Sequence, residues 1–358
     1  MNPAGAPFRA FQSEGRLAGS RAGRILTLLA LVYLIVIAAG FVAPGDPITQ
    51  HRELVFAPPT RLHLVGPSGE LHWRPFVYPL VLRPGTFDTY EEDRSRMYPV
   101  RLFVPGAPVR VAGLFTWDRR LVGTDSPTPL FLLGSDQYGR DLFARLLYGG
   151  QISLFAGLLG AALSLGVGVL LGGIAGFYGG WLDEIIMRAA ELFLALPWLY
   201  LLFAVRMSLP LQIAPAQAFL LIVMVVGVVG WARPARLIRG AVLSARVRDY
   251  VLAARGAGAS DPYLLRRHVL PQVVGIAATQ AALLVPQYVL AEVTLSFFGL
   301  GVGEPVPSWG NMLSGLNRYH VLASYWWMFL PGIALIPVFL LYYALADALH
   351  QRATAFTP

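Results

Sequence analysis

The 358-residue chain contains no cysteine. Disulfides and thiolate metal sites are therefore excluded. It also contains no lysine, so all 28 of its basic residues are arginine. A phosphate-binding loop of the form G-x-x-x-x-G-K-[ST] needs its lysine to reach the β- and γ-phosphates. This chain cannot hydrolyse ATP by that route, and any ATP chemistry it depends on belongs to another chain. Charge is scarce too, at 13% of residues against 56% hydrophobic; a soluble domain carries about 25%. That balance describes a polytopic membrane protein. The net charge of +8 then reads as loop arginines that set topology, not as a nucleic-acid surface. Neither H-E-x-x-H nor G-x-S-x-G occurs, so no hydrolase chemistry is visible.

What the chain does have is long apolar runs. A hydrocarbon core of about 30 Å needs about 20 apolar residues in helix. Six segments are expected to span: 25–42, 152–178 and about 185–205, 216–232, 273–298 and 325–347. Arg9, Arg16, Arg21 and Arg24 precede the first. Its apolar run exceeds the usual signal-peptide core, so a retained signal-anchor helix is expected. The segment between the fourth and fifth spans carries eight arginines and two acids. With residues 1–24 it is expected to be cytoplasmic, as is the tail 351–358, by the positive-inside rule. Residues 43–133 then form an external insert. RPFVYPLVL (74–82), YPVRLFV (98–104) and VRVAGLF (109–115), punctuated by Pro and Gly, read there as short strands. His51, His63 and His72 fall in this insert with no metal-ligand spacing, and are expected to be ordinary surface or turn residues.

The segment 233–271 ends in RVRDYVLAARGAGASDPYLLRRHVLP (246–271). Residues 246–257 suit a helix that Gly256 and Gly258 weaken and end. Ser260 or Asp261 suits the cap of a second, with Pro262 in its first turn. Tyr263, Leu264 and Val269 are its apolar members, and Pro271 is expected to stop it before the fifth span. Two readings remain open on this physics alone: an amphipathic connector with topogenic arginines, or a docking surface.

This stretch resembles the coupling motif of ABC-importer permeases, E-A-A-x(3)-G-x(9)-I-x-L-P. Ala253, Ala254, Gly258, Leu270 and Pro271 match it. Leu252 stands at the glutamate position, leaving Asp249 as the nearest acid, and His268 stands at the isoleucine. GSDQYGRDLFARLLYGGQISL (134–154), with Asp136, Gly139, Arg140 and Asp141, is similar to the segment before the second helix of dipeptide and oligopeptide permeases. GFYGGWLDEIIMR (176–188) resembles their turn between helices two and three. The run LSFFGLGVGEPVPSWGNML (295–313), with Pro307, Ser308, Trp309, Gly310 and Asn311, resembles their loop after helix five. The match extends through 131–350, and the subunit type is the C-type of the peptide/nickel branch.

The resemblance implies an all-α, six-span permease of the type I importer fold carrying a small β-rich insert. It implies a non-catalytic half-pore, moving di- or oligopeptides, with nickel, glutathione or oligosaccharide as alternative cargo. The implied partners are a second, B-type permease subunit, two cytoplasmic ATPases that bind ATP and Mg, an external substrate-binding protein and membrane lipid. Asp249, Ala253, Ala254, Gly258, Asp261, Pro262, His268, Leu270 and Pro271 would receive the ATPase. An ionisable residue inside a membrane is a functional candidate, so Glu191 and Glu292, with Ser296 one turn on, are candidates for the substrate path. Packing between helices is the alternative for each. The glycines of the second span include small-xxx-small pairs such as Gly168/Gly172, which suit close helix contact. Two rivals stand beside the importer: an ion-gradient transporter or channel, which calls for an inverted repeat not seen here, and a membrane scaffold whose insert binds a partner.

Overall fold

A computed structural model describes residues 6–86, 89–111, 115–124, 128–208, 210 and 214–355. The chain forms two compact units. One comprises Met1–Ala30, Leu154–Glu292 and Ile336–Pro358, the other Leu31–Ser153 and Val293–Leu335. Among the described residues, the stretches Leu142–Tyr178, Asp261–Phe297 and Trp326–Arg352 are single helical rods long and apolar enough to cross a membrane. Two bent helix pairs meet the same test jointly. The run 25–42, the first of the six expected spans, forms the end of α1 (Ala6–Ile37) and all of α2 (Ala39–Val42).

The helix α3 (Leu142–Tyr178), which belongs to the first unit from Leu154 onward, leads to α4 (Gly180–Ala195) and α5 (Trp198–Met207). These two were expected as one straight span; they meet at 89°. Pro197 is the reason. A residue before proline is driven out of the helical region, and Leu196 lies at ψ 136. Next come α6 (Pro215–Gly230) and α7 (Ala232–Ala245), bent by 44° at Trp231. Arg206, near the end of α5, is buried and donates to the Pro210 carbonyl at 3.1 Å.

The packing of α3 on α7 rests on glycine. A Cβ at Gly168 would sit 2.6 Å from Pro234 Cβ, and one at Gly176 2.8 Å from the Arg239 carbonyl oxygen. Gly172, between them, meets the Ala235 backbone. Three glycines at a spacing of four lie along one helical face, and there the two backbones come nearly into contact. Ala190, Trp231, Ala232 and Ala235 form a buried cluster at the same place.

In the second unit, β1 (His63–Val65), β2 (Leu71–Val77), β5 (Tyr98–Val111) and β6 (Phe115–Thr124) form an antiparallel sheet in the order β1-β2-β5-β6. A separate pair joins β3 (Leu80–Leu82) to β4 (Tyr90–Glu92). The expected strand 74–82 is thus two strands, broken around Pro79, which has no N–H to give a ladder. The expected strands 98–104 and 109–115 share one long strand up to Val111, bulged between Pro105 and Val109. Residues 112–114 lie outside the described residues. His63 sits 3.0 Å from Glu92 and packs against Phe76 and Tyr78. His72 lies 3.6 Å from Glu70 and 5.2 Å from the Phe76 ring centroid. His51 lies 3.9 Å from Glu53 and meets Phe131 edge to face. Trp326 and Trp327, at the start of the expected last span, form a 3₁₀ turn (Trp326–Phe329) ahead of the final helix (Leu330–Ala355).

Gly172→Val should lower the thermal unfolding midpoint of the purified chain, because overpacking of this kind costs about 1–3 kcal/mol. Gly166, also on α3, has nothing within 4 Å of its would-be Cβ. Gly166→Ala should leave that midpoint unchanged or raise it slightly.

Candidate functional site

The segment 246–271 folds as α8 (Asp249–Gly256), a turn, α9 (Asp261–Leu264) and a π-helical turn (Leu265–Val269) running into α10 (Leu270–Phe297). The turn has a defined chemistry. Gly258 lies at φ 87. Its N–H donates to the Arg255 carbonyl at 3.0 Å, and the Ala259 N–H donates to the Ala254 carbonyl at 3.1 Å. Those two bonds are the Schellman pattern, with Gly258 as the left-handed residue after the helix. The apolar contact that accompanies the pattern joins Ala254 and Ala259 to one buried cluster. Ser260 occupies the N-cap of α9, but no side-chain bond caps that helix.

Pro271 does not stop the second helix; it sits in the first turn of α10. A proline inside a helix removes the bond to the carbonyl four residues back and crowds it. Here the π turn widens the helix just before it, and the Leu270 N–H reaches the Leu265 carbonyl instead. Asp261–Phe297 is consequently continuous.

Two ties hold the segment in place, and a third holds α7, which leads into it. Val251, Leu264 and Val269 are fully buried against Phe177, Ile238, Val242 and Val273. Arg246 donates to the carbonyls of Gly176 and Phe177, both at 2.9 Å. Those groups end α3, where helix carbonyls lack partners and the helix dipole favours a cation. Arg239 forms a two-pronged pair with Asp183, in the first turn of α4, with both bonds at 2.5 Å. Such bidentate pairs are among the stronger charge-assisted bonds. The exposed Arg255–Asp261 pair, at 3.1 Å, adds little by comparison.

The opposite face is left open. Leu252 is 49% exposed and Tyr263 53%, with Val247 and Tyr250 beside them in sequence also exposed. Tyr263, expected as an apolar member of the helix, therefore faces outward, 5.6 Å from the His268 ring. Asp249, Ala253, Gly258, Asp261, Pro262 and Pro271 are exposed, while Ala254, His268 and Leu270 are half-buried. Arg248, Arg266 and Arg267 add positive charge to the same surface.

The second group of motif residues lies in the other unit and acts as a bolt. Arg140 Nε meets Asp136 at 2.7 Å, and its Nη1 and Nη2 meet Glu304 at 2.6 and 3.1 Å. Arg145, in the first turns of α3, reaches the same two acids at 3.4 and 3.1 Å. Burial pulls the Arg140 guanidinium down, yet Glu304 and Asp136 together hold it above its ordinary value. Gly139, at φ 70, takes a backbone shape that favours glycine, and a Cβ there would strike the His51 carbonyl. Ser308 and Asn311 cap α11 (Trp309–Leu313) reciprocally, at 3.2 and 3.0 Å. Trp309 donates from its ring to the Leu146 carbonyl at 2.8 Å, and from its backbone to Ser153 Oγ at 3.1 Å. A Cβ at Gly310 would lie 2.6 Å from Ser296 Cβ, and Pro307 is buried. Glu304 and Arg145 were not singled out in the sequence. The partner of Arg140 is 164 residues away, and only a fold reveals it.

The three residues considered for a substrate path are not brought together. Glu191 is on the surface, paired with Arg188 at 3.2 Å. Glu292 and Ser296 are buried one turn apart on α10. The first unit instead holds a cavity of about 260 Å³ whose polar lining includes Arg233, Gln287 and Tyr288. Tyr288 also shares a 2.8 Å hydrogen bond with Ser164. No motif marked these residues.

Asp141 caps α3, accepting from the N–H groups of Phe143 and Ala144 at 2.9 and 3.3 Å. Burial pushes its carboxyl up to about 7. The folded chain therefore keeps this proton where an unfolded chain, titrating near 4, has lost it. Its contribution to stability is full below about pH 4 and falls as pH rises toward 7. Asp141→Asn keeps an acceptor at the cap. It should flatten the decline of the unfolding midpoint across that window and exceed the parent at pH 8, as read by thermal unfolding at a series of pH values.

The profile of the family described as "Binding-protein-dependent transport system inner membrane component" matches residues 168–355. The chain is 36% identical over 220 residues to the dipeptide transport system permease protein DppC of Bacillus subtilis, covering 61% of this chain and 66% of that one. It is 38% identical over 200 residues to the oligopeptide transport system permease protein OppC of the same organism, covering 56% and 63%. The glutathione transport system permease protein GsiD of Pectobacterium atrosepticum is 33% identical over 244 residues, covering 68% and 78%. The aligned part thus spans just under two thirds of each of the two Bacillus relatives. The profile covers more than half of the chain and its apolar helices are those of a multi-pass inner-membrane protein, so the chain belongs to the binding-protein-dependent transport system inner membrane component family, as an ABC-importer permease of the peptide group.

Proposed function

We propose that this permease moves di- or oligopeptides inward as half of a translocation pore, and that residues 246–271 receive the ATPase that drives it. The reading rests above all on the open face of α8 and α9. Leu252 and Tyr263 are half-exposed apolar side chains on a segment whose other face is tied by Arg246 and a buried cluster. An apolar surface held rigidly from behind suits a partner that pushes on it. The chain has no lysine, so ATP and Mg belong to two ATPase partners on the side where 246–271 lies. That side is the cytoplasm on the arginine count, with both termini there as well. A second, B-type permease subunit completes the pore, and a binding protein on the far side delivers cargo. Lipid surrounds the assembly, and nothing in the reading calls for nucleic acid. Glutathione is the alternative cargo, favoured by the resemblance to a permease named for it.

Reconstituted with its ATPases, second permease and binding protein, the chain should take up labelled peptide only when ATP is supplied. Uptake by the chain alone, driven by an ion gradient, would replace the importer with a secondary transporter. Gly258→Trp should release the ATPases or leave their ATP turnover uncoupled from uptake. Its side chain enters open space, so the steric effect falls on a docked partner. Gly258→Ala carries only the backbone cost of a left-handed position, about 1–2 kcal/mol, and should retain both binding and uptake. Equal loss in the two variants would make Gly258 a folding residue only.

A further inference from the structure

The β5–β6 hairpin carries an aromatic surface that neither the pore nor the ATPase reading uses. Phe103 is 51% exposed and Trp117 38%. Both rings meet Phe41 of α2, at centroid distances of 6.1 and 5.5 Å. Pro105 pairs with Arg119 in the ladder. Side chains alternate faces along a strand, so Trp117 and Arg119, two apart on β6, share one face, and their common contact with Phe41 puts the Phe103 ring beside Trp117. Phe103 holds φ 56, a costly shape for a bulky residue, and an outlier of this kind is a pointer to function.

Phe41 fixes where this face lies. It follows α1 directly, and the last turns of α1 in the same unit expose Leu31, Leu34 and Ile35. On a helix at a membrane, exposed apolar positions of this kind are open to lipid. Arg120 then donates to the Pro44 carbonyl at 2.7 Å, fastening β6 to the chain just past α2. The aromatic face therefore continues the lipid-facing surface of α1 at the point where the helix leaves the bilayer. Trp and other amphipathic rings concentrate at that depth, and an arginine beside them reaches lipid phosphate with its apolar stem still buried.

We propose that Phe103, Trp117 and Arg119 form a lipid-interface anchor, with the hairpin lying on the headgroup layer at the end of α1. The partner is the phospholipid surface itself. The absence of cysteine makes the test direct, because a single introduced cysteine is the only labelling site on this chain, and the parent chain carried through the same labelling gives the background from copurifying subunits. Full-length chains bearing Phe103→Cys or Trp117→Cys would be nitroxide-labelled and reconstituted in phospholipid nanodiscs, with the subunits that copurify. Collision rates with oxygen, which concentrates in lipid, and with a water-soluble nickel chelate would then be measured. Leu34→Cys gives the lipid reference and Glu91→Cys, on the exposed β4 side chain, the aqueous one. The oxygen-to-nickel ratio at 103 and 117 should exceed that at 91 severalfold and approach that at 34. A ratio equal to that at 91 would put the hairpin in water and overturn the proposal. Protection from both reagents would show a protein partner on this face and overturn it equally. Retention of the parent's elution volume by each variant establishes that the labelled chains are folded.

Discussion

A helix that leaves an apolar environment exposes four N–H groups at one end and four carbonyls at the other, and these cannot go unsatisfied at low cost. The two ends of α3 show how this chain meets that constraint. At the first, the Asp141 carboxylate accepts from Phe143 and Ala144. At the last, Arg246 comes from 70 residues away to the carbonyls of Gly176 and Phe177. The second solution does more than satisfy backbone groups. The residue that neutralises the end of α3 opens the segment that faces the proposed ATPase, so the same contact closes a helix and seats a working surface. Its guanidinium was first explicable as a topology signal; the structure gives it a second, local task.

Much of this was legible in the sequence because it is written in local rules. Apolar length marks the long helices. Ala-Ala followed by Gly at the right distance marks a helix closed by a left-handed residue, and the two Schellman bonds at Gly258 are the physical content of that spacing. The glycines at 168, 172 and 176 announce a close helix contact by their period alone, although the helix they receive, α7, cannot be read from it. What the sequence hid is non-local or cooperative. Leu-Pro at 270–271 looks like a helix end by local rules, yet a π turn upstream absorbs the proline. Pro197 lies inside an apolar run and turns an expected straight span through a sharp corner. Glu191 and Glu292 look alike in sequence, but only one is buried.

The motif residues 136–141 and 304–311 illustrate a different limit. They are specific enough to identify a family, and specificity invites a functional role. Their geometry is architectural: two guanidiniums buried among two carboxylates, a reciprocal cap, and an indole donating to a helix carbonyl. The pairs of Arg140 and Arg145 with Asp136 are buried on both sides, and such pairs contribute little net stability but punish any change to one member. That property fits groups that define one arrangement of a loop rather than groups that handle cargo. The polar lining near Tyr288, which no motif announced, is the more open chemistry.

The π turn at 265–269 has a mechanical consequence. Because α9 passes through it into α10 without a break, Asp261–Phe297 is one rod of 37 residues, about 55 Å at 1.5 Å per residue. A push on Tyr263 at one end acts on a stiff lever. The extra residue in the π turn also sets the phase between the tyrosine at its tip and the side chains deeper along the shaft. The widened turn takes that residue up with little net rotation; one residue added elsewhere in the rod, with no such turn to absorb it, would rotate tip against shaft by about 100° and aim the lever in the wrong direction.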